Sequence, residues 1–296
     1  MNKVISIDPK DIPTPRLHGY LLGAVGPRPI AFASTVDKEG RPNLSPFSFF
    51  NVFSANPPIM IFSPARRVRN NTTKHTLENA LETREVVINV VNYRMVQQMS
   101  LASTEYQKGE NEFKKAGLTM LKSDIVKPFR VGESPVQFEC RVTKIESLGE
   151  EGGAGNLIFS EVLRIHIDNT ILDKDGAIDQ SKIDQVARMG GNWYTRAREG
   201  MFEVPKPLSS LGIGVDQIPD SIRFSKVLTG NDLGMLGNIE EIPGSDSVKT
   251  FLKEHIEIRA VMSSDDRERI HKKAQEYLAA KDIASAWKVL LAAEIL

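Results

Sequence analysis

Cysteine is almost absent from this chain of 296 residues, in which Cys140 stands alone. A single cysteine excludes an intramolecular disulfide and argues against a cysteine-based metal site. The five histidines are scattered without the spacing that is typical of metal ligands. We therefore predict a protein without a disulfide framework and without a bound metal.

An excess of charge is also missing, because Lys+Arg and Asp+Glu both number 38. This balance argues against a nucleic-acid-binding protein, which needs a basic surface, and against a polybasic membrane anchor. No apolar run approaches the ~18 residues that span a bilayer, and residues 1–10 lack the apolar segment of a signal peptide. We predict a cytoplasmic protein that binds neither nucleic acid nor membrane.

Proline is scarce after the first quarter of the chain, since ten of the sixteen prolines lie at or before Pro64. Proline in sheets is confined to edges, strand starts and turns. The front of the chain is nevertheless rich in apolar residues, so it is predicted to form short strands and tight turns. A hairpin is expected where residues 30–36 and 41–49 flank a turn that ends at Gly40.

Alternation and helical spacing extend this pattern to an antiparallel β core with inserted helices. Helical spacing predicts one helix over residues 74–84. Short strand spacing favours a barrel over a doubly wound sheet. Further strands are predicted for residues 59–62, 86–91, 137–148 and 157–167.

The character of the chain changes at Pro205 and Pro207, beyond which helical spacing dominates. We predict two domains, residues 1–204 and residues 205–296. The second is expected to be a mostly helical extension that ends in a helical hairpin. Its apolar positions are Ile270, Ala274, Tyr277, Leu278, Ile283, Trp287, Leu290 and Leu291.

Residues 34–51 combine hydroxyls, amides, aromatic rings and two prolines around one turn. Hydroxyls and backbone N–H groups in irregular loops suit the recognition of phosphates and of polar ring edges, and aromatic side chains provide apolar area beside a planar ring. The alternative is a polar hairpin with an apolar return strand.

A second candidate is the predicted start of the helix at Lys74, His75 and Thr76. The first N–H groups of a helix are free and carry partial positive charge, so a lysine and a hydroxyl there suit a phosphate. An ordinary helix cap is the alternative. Arg67 belongs to a short basic cluster just before this helix start. Its guanidinium is either a bidentate ligand of the phosphate or part of a solvated loop.

Several of these segments resemble the flavin reductase-like, FMN-binding split-barrel family. The similarity runs in order over roughly two thirds of the chain, residues 19–197. It is carried by residues 26–31 (GPRPIA), Ser34 with Thr35, 43–50 (NLSPFSFF), Pro57 with Pro58, 74–79 (KHTLEN) and 188–194 (RMGGNWY).

The resemblance implies a six-stranded antiparallel split barrel that forms a homodimer, with FMN near the dimer interface. It implies that FMN is held by residues from three parts of the chain. It places Ser45, Pro46, Phe47, Ser48 and Phe49 along the ring and the ribityl chain, and Ser63, Lys74 and Thr76 at the phosphate. The predicted cofactor-binding set also includes Ser34, Thr35, Asn43, Asn51 and Arg67, from the two candidate segments described above. Many relatives carry Asp where His75 stands, so His75 receives no role.

Three further residues are candidates for binding a substrate. His166 lies on a predicted strand, and it is expected either to contact nicotinamide or substrate or to pair with a carboxylate at an interface. Arg188 and Tyr194 flank a glycine-bearing turn that either covers the cofactor or packs the end of the barrel. No catalytic acid or base stands out.

Two functional hypotheses follow from the resemblance, and a third opposes them. The first is an NAD(P)H-dependent flavin oxidoreductase that passes electrons from NAD(P)H to flavin or another acceptor, because hydride chemistry belongs to the cofactor. The second is a non-enzymatic FMN protein, like a flavoredoxin, that exchanges electrons with a redox partner protein. The third is an interaction protein whose pocket has lost its ligand.

Overall fold

The computed structural model describes residues 4–204, 211–262 and 266–295. The chain divides into two compact units, Met1–Phe202 and Glu203–Leu296. Pro205 and Pro207, at the boundary predicted from the sequence, lie outside the described residues. Within the described parts of the chain, no helix has the length and apolar character needed to cross a bilayer.

The first unit is built mainly from strands, with helices inserted between them. Its strands are β1 (Ala31–Val36), β2 (Pro42–Phe47), β3 (Phe50–Ala55), β4 (Pro58–Phe62), β5 (Glu85–Asn89), β6 (Met120–Leu121), β7 (Arg130–Val131), β8 (Val136–Ser147), β9 (Asn156–Ile167), β10 (Val186–Arg188) and β11 (Tyr194–Arg196). Its helices are α1 (Thr14–Ala24), α2 (His75–Thr83), α3 (Val96–Leu101), α4 (Glu112–Ala116) and α5 (Gln180–Ile183).

Seven strands form the main sheet, in the order β2-β1-β5-β8-β9-β4-β3, and every neighbouring pair is antiparallel. This corrects the expected count of six. The extended segment predicted for residues 41–49 contains β2, whereas β3 (Phe50–Ala55) was not predicted. These two strands, β2 and β3, lie at opposite ends of the sheet although they follow each other directly in the chain.

One apolar cluster shows how the sheet closes. It includes Ala31 of β1, Phe47 of β2 and Phe62 of β4, together with Ile88 of β5 and Ile158 of β9. Residues from distant strands can share one core only if the sheet curves around it. Successive side chains of a strand point to opposite faces. Accordingly, Leu44 of β2 packs into a different cluster, with residues of α3 and α4.

Most of the elements predicted from periodicity are present. The hairpin of β1 and β2 pairs as expected, with Ala31 opposite Phe47 and Val36 opposite Pro42. The predicted helix is α2, and the two long alternating segments are β8 and β9. Helix α1 has no counterpart among the predictions. It contributes no buried side chain, and a weak apolar stripe gives a weak signal in the sequence.

The second unit is helical within its described residues. Its helices are α6 (Asp220–Arg223), α7 (Gly230–Gly237), α8 (Ser245–Glu254), α9 (Ile256–Met262), α10 (Arg267–Ala279) and α11 (Ile283–Ile295). The predicted hairpin is α10 and α11. Trp287 is fully buried in the core of this unit, and its indole Nε1 donates to the Leu236 carbonyl oxygen at 3.0 Å. The ring therefore buries a large apolar area without leaving its N–H unpaired.

Candidate functional site

The start of α2 is held against β2 by a buried group of amides and hydroxyls. Asn43 of β2 donates through Nδ2 to Thr76 Oγ1 at 2.9 Å and to Thr35 Oγ1 at 3.2 Å. Asn79, one turn further along α2, donates to the same Thr35 Oγ1 at 3.1 Å. Because all four side chains are buried, these bonds are costly to break and fix the helix relative to the strand.

The N-terminus of α2 carries free hydrogen-bonding capacity. Lys74 is the N-cap residue, and its side chain makes no capping hydrogen bond. The positive end of the helix dipole and the first backbone N–H groups are therefore available to an anion. Partial burial lowers the pKa of His75, so its imidazole is neutral near pH 7. The positive formal charge at this end of the helix therefore comes from Lys74, Arg67 and Arg69.

A cleft opens between α1, the β2–β3 junction and the N-terminus of α2, and we call it the central cleft. It brings together the two segments on which the sequence prediction depends, the serine- and phenylalanine-rich loop and the helix start. Its lining residues are His18, Leu22, Ser45, Pro46, Phe47, Ser48, Phe49, Ser63, Ala65, Lys74 and Ser103. Asn43, Arg67 and Thr76 line an adjoining depression that shares Ser45, Lys74 and Ser103 with it.

Ser63 has an unpaired hydroxyl at the wall of the central cleft. The side chain lies directly after β4 and is only 7% exposed, and its Oγ has no hydrogen-bond partner among the described residues. A buried hydroxyl without a partner is costly, and such groups occur where an absent ligand or water completes the bonding. Ser63 is therefore a fitting donor or acceptor for a polar ligand in the cleft.

Basic side chains cluster beside the N-terminus of α2 and converge on one carboxylate. The Glu105 carboxylate accepts hydrogen bonds from Arg67 Nε at 2.9 Å and from Lys74 Nζ at 3.3 Å, and Arg69 also donates to it. The hydrogen bond from Arg67, followed by that from Lys74, lowers the pKa of Glu105 against the opposing effect of desolvation. Three basic side chains thus meet beside the start of α2, where their donors are able to pair with an anion.

Arg188 and Tyr194 line a second depression, which shares Pro46, Ser48 and Ser103 with the central cleft. They face each other across the hairpin of β10 and β11, and the Arg188 guanidinium carbon lies 4.6 Å from the centre of the Tyr194 ring. A stacked guanidinium keeps its charge and presents a flat surface. This second depression can therefore receive a planar or anionic substrate next to the central cleft.

Some of the predicted residues lie outside these depressions. Ser34 and Thr35 are fully buried in β1, where Thr35 supports Asn43 and Asn79. Asn51 is exposed on β3, and its Oδ1 accepts from the backbone N–H of Val52 at 2.8 Å. These contacts give Thr35 an indirect part in the site through α2. They give no contact between the cleft and Ser34 or Asn51.

His166 also lies elsewhere, on β9 opposite Gln137 of β8. Its Nε2 lies 2.6 Å from Glu139 Oε1. Glu139 is fully buried and also accepts from the backbone N–H groups of Asp124, Ile125 and Val126. Asp124, Glu139 and His166 are close enough to share a metal ion. However, Asp124 is paired with Arg164 at 2.7 Å. The three backbone hydrogen bonds to Glu139 indicate that the Glu139 carboxylate anchors the loop of residues 124–126.

The structure adds site residues that the sequence did not single out. His18 and Leu22 come from α1, whose Leu17, Leu21 and Leu22 give the only helical signal in that segment. Ser103 and Glu105 lie in a loop after α3. A single glutamate in an irregular loop has no periodicity or motif, so no sequence signal could have placed it beside Arg67.

The family is shown by comparison with known proteins. The sequence profile described as "Flavin reductase like domain" matches residues 24–186, more than half of the chain. The chain therefore belongs to the flavin reductase-like family. An uncharacterised protein of Aquifex aeolicus is 39% identical over 181 residues, which cover 61% of this chain and 90% of that protein.

Solved structures show the same fold. Nitrilotriacetate monooxygenase component B from Bacillus cereus is 29% identical, with a TM-score of 0.65, and the match covers 69% of this chain and all of that one. A split-barrel protein of the flavin reductase type from Shewanella frigidimarina is 27% identical, with a TM-score of 0.58 over 67% of this chain and 95% of that one. The first unit is thus a split barrel of this family.

We predict that Glu139 contributes to stability in a pH-dependent way. Burial raises the pKa of Glu139, but the N–H groups of Asp124 and Ile125 and the contact with His166 outweigh it, so the pKa falls to about 2. The stabilisation is complete above the ordinary pKa of 4.5 and is lost as the pH falls from there towards about 2. This difference in pKa corresponds to about 3 kcal/mol.

Denaturant unfolding of the wild type and Glu139→Gln at several pH values measures this contribution. Near pH 7 the variant should be less stable by about 2–4 kcal/mol, because its amide NH2 faces backbone donors. The two proteins should converge at low pH. Glu146→Gln is the control on the same strand, since Glu146 is exposed and pairs with Lys144, and it should cost less than about 1 kcal/mol. Equal pH profiles for wild type and Glu139→Gln would contradict the assignment.

Proposed function

We propose that the first unit binds FMN in the central cleft and acts as an NAD(P)H-dependent flavin oxidoreductase. Membership of the flavin reductase-like family supports a flavin-related redox function. The observation that carries the assignment to this cleft is that residues 45–49, Ser63 and Lys74 line it together. We further propose a cytoplasmic location and a division of labour in which residues 1–204 bind the flavin and residues 205–296 are an accessory extension.

The residues present fit the parts of FMN. The phosphate would be held by Lys74, Arg67 and the free N–H groups at the start of α2, because these combine charge with directed donors. The hydroxyl of Ser63 would gain the partner that it lacks in the chain alone. The ring would lie against Pro46, Phe47 and Phe49, which provide apolar area in the cleft.

Bound FMN supplies the capacity to accept a hydride, and the protein supplies position and surroundings. The stacked Arg188 and Tyr194 would bind NAD(P)H, because their depression adjoins the central cleft at Pro46 and Ser48. Binding two partners in adjacent depressions brings their reacting atoms together without any acid or base residue. We therefore assign these side chains binding roles and assign no catalytic residue.

A homodimer is part of this proposal. Strand β3 lies at one end of the main sheet and exposes Val52 and Phe53, at 62% and 64%. Phe49, which lines the central cleft, lies immediately before this strand and is also exposed. Exposed apolar side chains on a sheet edge favour association with another chain. A second copy of this chain packed on β3 would cover them and border the cleft.

We expect Lys74→Ala to weaken FMN binding because it removes one phosphate partner. Titration of the apoprotein, followed by quenching of flavin fluorescence, should show a dissociation constant about tenfold higher or more. Riboflavin has no phosphate, so its affinity should change little. Lys38→Ala in the exposed turn between β1 and β2 is the control, and it should leave both affinities unchanged.

The same preparations test the proposed reaction. The wild type with FMN should oxidise NADH or NADPH, and oxidation should stop without flavin. Reversible reduction of the bound flavin without continued NAD(P)H oxidation would favour the electron-carrier hypothesis. No flavin binding by the wild type would show that the proposed function is wrong.

We also expect Phe53→Glu to weaken the dimer, because it places a charge on the apolar edge of β3. Light scattering with size-exclusion chromatography should show a wild-type dimer and a larger monomer fraction for the variant. Phe202→Glu is the control, since Phe202 is a phenylalanine that is more exposed than Phe53, at 84%, but belongs to no strand. A wild type that is monomeric, or a variant that stays dimeric, would contradict this proposal.

A further inference from the structure

Glu105 is paired with Arg67 and Lys74, the basic side chains that the proposed function assigns to the FMN phosphate. Its two carboxylate oxygens take hydrogen bonds from Arg67, Arg69 and Lys74. Arg67, Lys74 and Glu105 also line the same two depressions, one next to the start of α2 and one next to α1. The carboxylate is therefore an internal anion among the basic groups assigned above to the FMN phosphate.

The arginine does not depend on Glu105 for its orientation. Arg67 Nη1 donates to Thr72 Oγ1 at 3.0 Å and also to the Thr73 carbonyl oxygen. Its backbone N–H donates to the Thr72 carbonyl oxygen at 2.9 Å. These bonds lie within residues 67–73 and remain when Glu105 is removed. The pairing with Glu105 uses a different donor, Nε, and Arg67 lines the depression that adjoins the central cleft.

The Glu105 side chain is free to leave. It lies in a loop after α3, outside any helix or strand, and its side chain is 36% exposed. The neighbouring Tyr106 is held separately, because the Lys115 ammonium lies 5.3 Å from the centre of its ring. Rotation of the side chain can therefore carry the carboxylate into solvent, at the cost of the ion pairs that it makes with Arg67, Arg69 and Lys74.

We propose that Glu105 competes with the FMN phosphate for Arg67 and Lys74 and so sets the affinity of this protein for FMN. The inference rests on the proposed function. Two anions on the same donors repel each other, so phosphate binding must displace the carboxylate. Each FMN molecule thus breaks the Glu105 ion pairs on entering, and the pairs form again on release. This exchange favours FMN that is bound and released over FMN that is held permanently.

The competition predicts that a change at Glu105 affects the binding of phosphorylated flavin but not that of unphosphorylated flavin. In Glu105→Gln the side chain keeps its size but loses its charge, so the FMN dissociation constant should fall about tenfold. The riboflavin dissociation constant should stay within about twofold, because riboflavin makes no demand on these donors. Both are measured by fluorescence quenching with the full-length apoprotein, and thermal unfolding checks that the variant is folded.

Glu110→Gln is the matched control, because Glu110 lies in the same loop as Glu105, between α3 and α4. Glu110 pairs with Lys115 at 2.9 Å and is 42% exposed, and it lines neither of the two depressions that Arg67, Lys74 and Glu105 share. Its substitution should leave both flavin affinities unchanged. Glu105→Ala provides a second variant and should strengthen FMN binding in the same direction as Glu105→Gln.

Three results would overturn the inference while leaving the proposed function intact. Weaker FMN binding by Glu105→Gln would show that the carboxylate organises the basic groups. An unchanged FMN affinity would show that it does not compete. A parallel change in FMN and riboflavin affinity would indicate a general effect of the loop. If the wild type bound neither flavin, the proposed function would fail, and the inference with it.

Discussion

The hydrogen bond from Asn43 to Thr76 is the contact on which the site depends. It joins β2, which continues into the serine- and phenylalanine-rich loop, to the first turn of α2. The positive end of the helix dipole therefore lies at a fixed place beside that loop. If this contact were loose, the donors of α2 and the walls of the cleft would move independently. A buried bond between two elements gives the precision that binding a single ligand requires.

Charge then decides how tightly such a site holds its ligand. The same basic side chains that suit a phosphate are paired with Glu105 in the chain alone. If FMN binds there as proposed, the net gain on binding is the difference between two sets of ion pairs. On that proposal, the pairing of Glu105 bears on whether the flavin is exchanged as a substrate or kept as a cofactor.

The sequence predicts the elements better than the contacts between them. Alternation correctly predicted β8 and β9, and helical spacing predicted α2. Strand β3 was missed, because its place at the edge of the sheet depends on its pairing with β4. Similarly, the pairing of His166 with Glu139 depends on the register of β8 and β9. Local patterns carry no record of such distant partners, and the place of Glu105 could not be predicted for the same reason.

A crystal structure of the protein with FMN tests the central claim most directly. The account predicts that the phosphate lies between Lys74 and the N-terminus of α2, with the ring against residues 46–49 and the Ser63 hydroxyl bonded to the ligand. A flavin bound elsewhere, or a central cleft left empty at saturating FMN, would contradict it.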